Sequence, residues 1–155
     1  MRENRFTNRG FTLPELMISA LILGVTFVGL LLTFVKCMEL NELSRNSMTA
    51  VAAAKSKMEE IKNADLNQIY TSYNNVSFDV TGFSSANAKG VSYVNNSNPD
   101  LLLVTISVCW KQKNGRIIGE DANLNGAYNV GEDTITANGT IDSPAQVVGY
   151  VFQKT

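Results

Sequence analysis

The sequence predicts an α+β protein. A long N-terminal α-helix, membrane-spanning in its first half, packs in its second half on a small antiparallel β-sheet. Three observations predict it. An uncharged run extends unbroken from Leu16 to Val35. Helical periodicity continues beyond it, with Leu40, Leu43, Val51, Ala54, Met58 and Ile61 recurring at steps of three, four or their multiples. Later, Leu102, Val104, Ile106, Val108 and Trp110 alternate with Thr105, Ser107, Cys109 and Lys111, the period of a strand with one buried face.

The N-terminal segment comes first. Arg2, Arg5 and Arg9 stand against one acid, Glu3, ahead of the apolar run. That excess predicts an N-terminus held in the cytoplasm and a chain that continues outward. Leu16–Val35 is 20 residues. As a helix it covers about 30 Å, enough to cross a bilayer core. A secretory signal would have a shorter apolar run followed by a small-residue cleavage site. One acid, Glu15, stands at the start of this span, where a carboxylate is costly unless it finds a positive partner. Pro14 suits the first turn of a helix.

These residues carry a family resemblance. Gly10-Phe11-Thr12-Leu13-Pro14-Glu15, followed by Leu16-Met17-Ile18, resembles the N-terminus of the type IV pilin and pseudopilin superfamily. The resemblance covers roughly residues 1–62. It implies cleavage between Gly10 and Phe11 by a prepilin peptidase, which also methylates the new N-terminus at Phe11. It implies that Glu15 is the acid of filament assembly, meeting the free amine of Phe11 on a neighbouring subunit. It further implies other pilins or pseudopilins and an inner-membrane assembly platform as partners. The stretch Ala52–Ile61 is more similar to minor pilins and minor pseudopilins than to major subunits. The expected organisation is a leader at 1–10, a transmembrane and assembly helix at 11–35, an amphipathic helix at 36–64 and a sheet-bearing head at 65–155.

The helix is expected from about Pro14 to about Ala64, with charged residues such as Glu42, Arg45, Lys55, Glu59 and Lys62 between the apolar positions. Gly24 and Gly29 fit close helix approach or ordinary membrane-helix composition. Residues 63–100 are rich in Asn and Ser and read as loop, apart from short strands at Val76–Val80 and Val91–Val94. The main strand is Leu101–Lys111, with its polar face turned outward. Lys113-Asn114-Gly115 then turns into Arg116-Ile117-Ile118, a hairpin. The final strand is expected at about Gln146–Phe152.

A second functional signal, an acidic loop at 120–142, lies between the last two strands. Asp121, Asn123, Asn125, Gly126 and Glu132 match D-x-[DN]-x-[DN]-G-x5-E without a gap. Oxygens at the first, third and fifth positions would converge on Ca2+, and Gly126 would allow the turn. Ala127 would offer its carbonyl, Asn129 would act directly or through water, and Glu132 would close the site. Asp133, Asn138, Gly139 and Asp142 suggest a degenerate second loop. Flanking helices are missing and three ligands are asparagines, so the expectation is weak binding that orders an acidic loop. The same composition also suits an ordinary surface turn. A calcium-stabilised loop near the C-terminus is also what the pseudopilin resemblance implies.

Composition narrows the rest. The 155 residues suffice for one modest domain beyond the membrane helix. The chain holds 13 basic and 14 acidic residues; without Arg2, Arg5, Arg9 and Glu3 the remainder has 10 and 13, a net charge of −3. No nucleic-acid partner is expected. There is no histidine, which removes Ser-His-Asp and Cys-His catalysis and histidine-based zinc sites. An enzyme is not expected. Cys37 and Cys109 read as unpaired thiols in a compartment that would permit a disulfide. The resulting expectation is a structural minor subunit of a type IV pilus or type II secretion pseudopilus. Its place is the bacterial inner membrane, single-pass with the head outside the cytoplasm, and then a filament. The alternative is a non-polymerising single-pass membrane protein with a calcium-dependent binding head. An anchored hydrolase lacks the residues for its chemistry.

Overall fold

The computed structural model describes residues 10–98, 100–132 and 137–152. Helix α1 runs Leu13–Lys62, and helix α2 runs Leu66–Tyr73. The strands are β1 Val76–Asp79, β2 Ala88–Asn95, β3 Leu101–Lys111, β4 Ile117–Ile118 and β5 Ala145–Phe152. The chain divides into two compact units, one ending at Asn41 and the other starting at Glu42. The α+β architecture of a long helix followed by an antiparallel sheet is therefore as the sequence predicts.

In the first unit the side chains of α1 lie open. The large hydrophobic residues from Phe11 to Leu40 are all more than half exposed. The helix is long and apolar enough to cross a membrane. Its hydroxyls bond within the helix. Ser19 Oγ donates to the carbonyl of Glu15 at 2.7 Å, Thr26 Oγ1 to that of Leu23 at 2.9 Å and Thr33 Oγ1 to that of Gly29 at 2.9 Å. Each hydroxyl thus brings its own partner, which is what an apolar surrounding demands. Leu40 stays exposed and does not join the expected apolar stripe.

In the second unit the stripe of α1 is the core of the head. Ala50, Ala54, Met58 and Ile61 are buried against Leu102, Val104, Ile106, Val108 and Trp110 of β3. Leu43 and Val51 are partly buried at the margin. Small residues at 50 and 54 let helix and sheet approach closely. Gly149 of β5 serves the same purpose, since a Cβ there would stand 3.3 Å from the Met58 side chain.

The sheet is antiparallel throughout. β1 pairs with β2 and β2 with β3. β4 and β5 share the remaining edge of β3, β4 at 110–111 and β5 at 101–108. The hairpin from β3 to β4 forms as expected. Arg116 stays outside β4, and its N–H donates to Asn114 Oδ1 in the turn. β2 is longer than the expected Val91–Val94 and takes in Gly90. Its register partner is Phe78, whose ring occupies the space a Cβ at 90 would need. An aromatic ring laid across a strand glycine restores lost packing.

Two further expectations are corrected. Residues 66–73 form α2 where loop was expected. Asp65 caps it by accepting from Asn67 N at 3.0 Å, and Ile69 is fully buried. The outer face of β3 is not open along its length, for Ser107 and Cys109 are each 1% exposed. A second apolar cluster of Val91, Cys109, Leu124 and Ile141 covers that face. Cys37 is exposed, Cys109 is buried, and both are free thiols.

Candidate functional site

The N-terminal site starts just ahead of α1. Gly10 and Phe11 are exposed, Phe11 at 84%. Residues 1–9 of the expected leader lie outside the described residues. Glu15 occupies the first turn of α1, where a carboxylate complements the positive end of the helix dipole. Leu16 N donates to the Thr12 carbonyl at 3.1 Å, so the helix is closed from its first turn despite Pro14. Gly10, Phe11, the acid Glu15 and the apolar helix thus follow one another on one exposed segment.

The loop after β4 is built differently. Asp121 is fully buried, and its carboxylate accepts from Asn125 N at 3.1 Å and Gly126 N at 2.8 Å. Asn123 Oδ1 accepts from Asn125 N at 2.9 Å, and Asn125 Oδ1 from Ala127 N at 2.7 Å. Each early side-chain oxygen therefore holds a backbone N–H a few residues onward and winds the loop around itself. Glu132 reaches back to close it, accepting from Ala122 N at 3.2 Å and Asn129 N at 3.1 Å.

The donor set has a centre. Asn129 Nδ2 donates to Ala127 O at 2.9 Å and to Glu132 Oε2 at 3.0 Å, and lies 3.5 Å from Asn125 Oδ1. Three oxygens from the fifth, seventh and twelfth positions of the expected loop thus converge on one amide nitrogen. These are the kinds of atoms a hard cation takes. Two of the candidate ligands, Asp121 and Glu132, are carboxylates; among the described residues no group of three or more His, Cys, Asp or Glu is placed to hold a metal. Asp133 of the expected second loop lies outside the described residues. Asn138 and Asp142 are together, with Asn138 Nδ2 donating to Asp142 Oδ2 at 3.3 Å.

What anchors this loop was not visible as function in the sequence. Leu124, with φ +55°, turns its side chain into the outer cluster beside Ile141. Ile141 N donates to the Tyr93 hydroxyl at 3.0 Å, and Ser143 Oγ donates to the Val108 carbonyl at 2.5 Å. Gly126, with φ +72°, lies against Ser77 of β1 so closely that a Cβ would collide with it. The signal available was that Leu124 and Ile141 are apolar residues in a polar stretch. Burial also pushes the Cys109 thiol up to about 11, with the nearby Asp121 charge adding to the shift. That thiol is a packing group, not a nucleophile.

Comparison with known proteins bears on the N-terminal segment. Residues 5–31 match the family model described as the prokaryotic N-terminal methylation motif. The chain carries a prepilin-type N-terminus. No curated protein and no solved structure shows significant similarity to it. The prepilin-type motif and the exposed apolar helix behind it fit a membrane-anchored, type IV pilin-like protein. The motif implies processing by prepilin peptidase and assembly with other pilins. It points to a structural role.

Proposed function

We propose that this protein is a minor pilin or minor pseudopilin whose C-terminal loop is ordered by Ca2+. The single observation that carries the reading is the prepilin-type motif at residues 5–31 directly ahead of a helix with no apolar side chain covered before Asn41. Such a surface is stable in lipid or against like helices. The chain waits in the inner membrane, single-pass, with the head outside the cytoplasm. Prepilin peptidase cleaves between Gly10 and Phe11 and methylates Phe11. Glu15 then meets the amine of Phe11 on a neighbouring subunit as the helix leaves the membrane through the assembly platform. The protein performs no catalysis of its own.

In the head, Asp121, Asn123, Asn125, Ala127, Asn129 and Glu132 hold the cation. The support for this is the convergence of three loop oxygens on Asn129 Nδ2. The Asn129 amide turns its oxygen inward when the cation replaces its nitrogen at the centre. With two carboxylates in the set, affinity falls in the weak range of extracellular modules.

Intact-mass and N-terminal analysis of the protein from its native membrane tests the reading. A chain that starts at Phe11 with one added methyl group is the expected result. Persistence of Met1–Gly10 in cells with active prepilin peptidase would overturn it.

A further inference from the structure

The sheet has two outer edges, and they are made very differently. β1 is four residues long and carries Asp79, which is ion-paired to Lys89 at 2.5 Å. β5 is eight residues long, Ala145–Phe152, and contains neither a charged residue nor a proline. Among the described residues β5 pairs with β3 on one side and with no strand on the other. Folded proteins ordinarily blunt such an edge with a charge, a proline or a bulge. This edge has none of these.

After Gln146, its outward side chains are apolar. Val148, Tyr150 and Phe152 are 56%, 60% and 65% exposed. They stand in register with Thr105, Leu103 and Leu101 of β3, so Leu103 and Leu101 widen the apolar row to two strands at its Tyr150 and Phe152 end. A contiguous exposed patch of this kind marks an interaction surface. At its Val148 end the row opens into a groove of about 500 Å³. Tyr93, Leu103, Asn138, Gln146 and Asp142 line that groove, and Asp142 is its one charged residue. Between Arg116 and Lys154 the sequence has five acids and no base.

We propose that the open edge of β5 is a docking site for an extended segment of another polypeptide. That segment is apolar at alternate positions and carries a Lys or Arg that reaches Asp142. Unpaired backbone N–H and C=O groups of an edge are satisfied in register by another strand, which supplies affinity, while alternate side chains supply selectivity. Asp142, the one charged residue of the groove, sets the sign of the partner. A second copy of this chain is the poorer occupant, because its own β5 brings no base opposite Asp142. The inference does not depend on processing at Gly10 and stands or falls separately from the filament reading.

The test uses the full chain, one copy per nanodisc of zwitterionic lipid, and a fluorescein-labelled peptide Lys-Thr-Val-Thr-Val-Thr-Val-Lys, with empty discs as the blank. Saturable binding that weakens with added salt is the expected result. The same peptide with Glu for both Lys, or with Pro for each Thr, should bind about tenfold or more weakly. Tyr150→Lys and Val148→Lys place a charge on the apolar row and should each weaken binding about tenfold. Asp142→Asn should weaken it about threefold and remove the preference for Lys over Glu. Equal binding of the Glu peptide overturns the proposal. So does unchanged binding to both charged variants with an unchanged circular dichroism spectrum. If both variants lose the wild-type spectrum, the two control peptides decide alone. If no peptide binds while discs with two copies form a dimer that Tyr150→Lys disperses, the edge is self-pairing and the proposal is wrong.

Discussion

Gly126→Ala tests whether the loop is seated on the sheet by contact or merely hangs beside it. Two costs add at this position. A non-glycine residue in the left-handed region, here φ +72°, costs about 1–2 kcal/mol. The new methyl would also collide with Ser77 Cβ. Forcing an extra methyl into a packed site costs about 1–3 kcal/mol more. The sum is about 2–5 kcal/mol, or a fall of about 8–20 °C in melting temperature at about 4 °C per kcal/mol. Gly131→Ala is the internal control, because φ there is +98° but a Cβ would meet nothing within 4 Å. It should cost the backbone term alone, about 1–2 kcal/mol. Thermal unfolding followed by circular dichroism, in excess chelator so that no cation contributes, separates the two. Adding Ser77→Gly to Gly126→Ala should recover about 1 kcal/mol or more in a double-mutant cycle, net of the loss from a strand glycine. Equal destabilisation by Gly126→Ala and Gly131→Ala, with no coupling to position 77, would refute the seating of the loop against β1.

Three further outcomes follow from the same geometry. Asp121→Ala strips the acceptors from Asn125 N and Gly126 N and should cost about 2–3 kcal/mol even in chelator. Under the proposed Ca2+ binding the wild type gains about 2.7 kcal/mol at a hundredfold excess over Kd, and Asp121→Ala should abolish that gain. Cys109 is neutral when buried and its folded value, about 11, lies above the ordinary 9.0, so its contribution is full below about pH 9 and lost as pH rises through about 11. Wild type should therefore lose up to about 3 kcal/mol more than Cys109→Val across that window in urea titrations. Glu42→Ala removes the acceptor that holds the β3–β4 turn, Lys113 N to Glu42 Oε1 at 2.9 Å, and should destabilise the head by about 1 kcal/mol in the same assay.

The parts of this fold that could be read from the sequence are those set by local periodicity. Strand β3 follows from eight residues of strict alternation, Val104–Lys111, and the bounds of α1 from an apolar run that passes into a 3.6-residue stripe. Helix α2 was missed because eight residues in an Asn- and Ser-rich stretch carry little signal. Its cap at Asp65 and the spacing Leu66, Ile69, Tyr73 were nevertheless present. The burial of Ser107 and Cys109 was not legible for a different reason. It depends on Leu124 and Ile141, which arrive from more than a dozen residues away in sequence and cover a face whose own pattern reads as polar. At the loop, the ligand spacing was legible. The winding of each side chain onto the next backbone N–H required coordinates.

The placing of β4 and β5 on one edge of β3 has a consequence for how the head tolerates change. Ile118 pairs with Trp110 and Ala145 with Val108, so the excursion leaves and rejoins the sheet two residues apart along β3. That is a separation of about 7 Å along the strand. Sheet register is therefore independent of how long the excursion is. Doubling its length would add only about 0.6 kcal/mol of closure entropy. So long as Leu124, Gly126, Ile141 and Ser143 keep their contacts with the sheet, the segment is a natural insertion port that can be lengthened while the helix-facing core stays as it is.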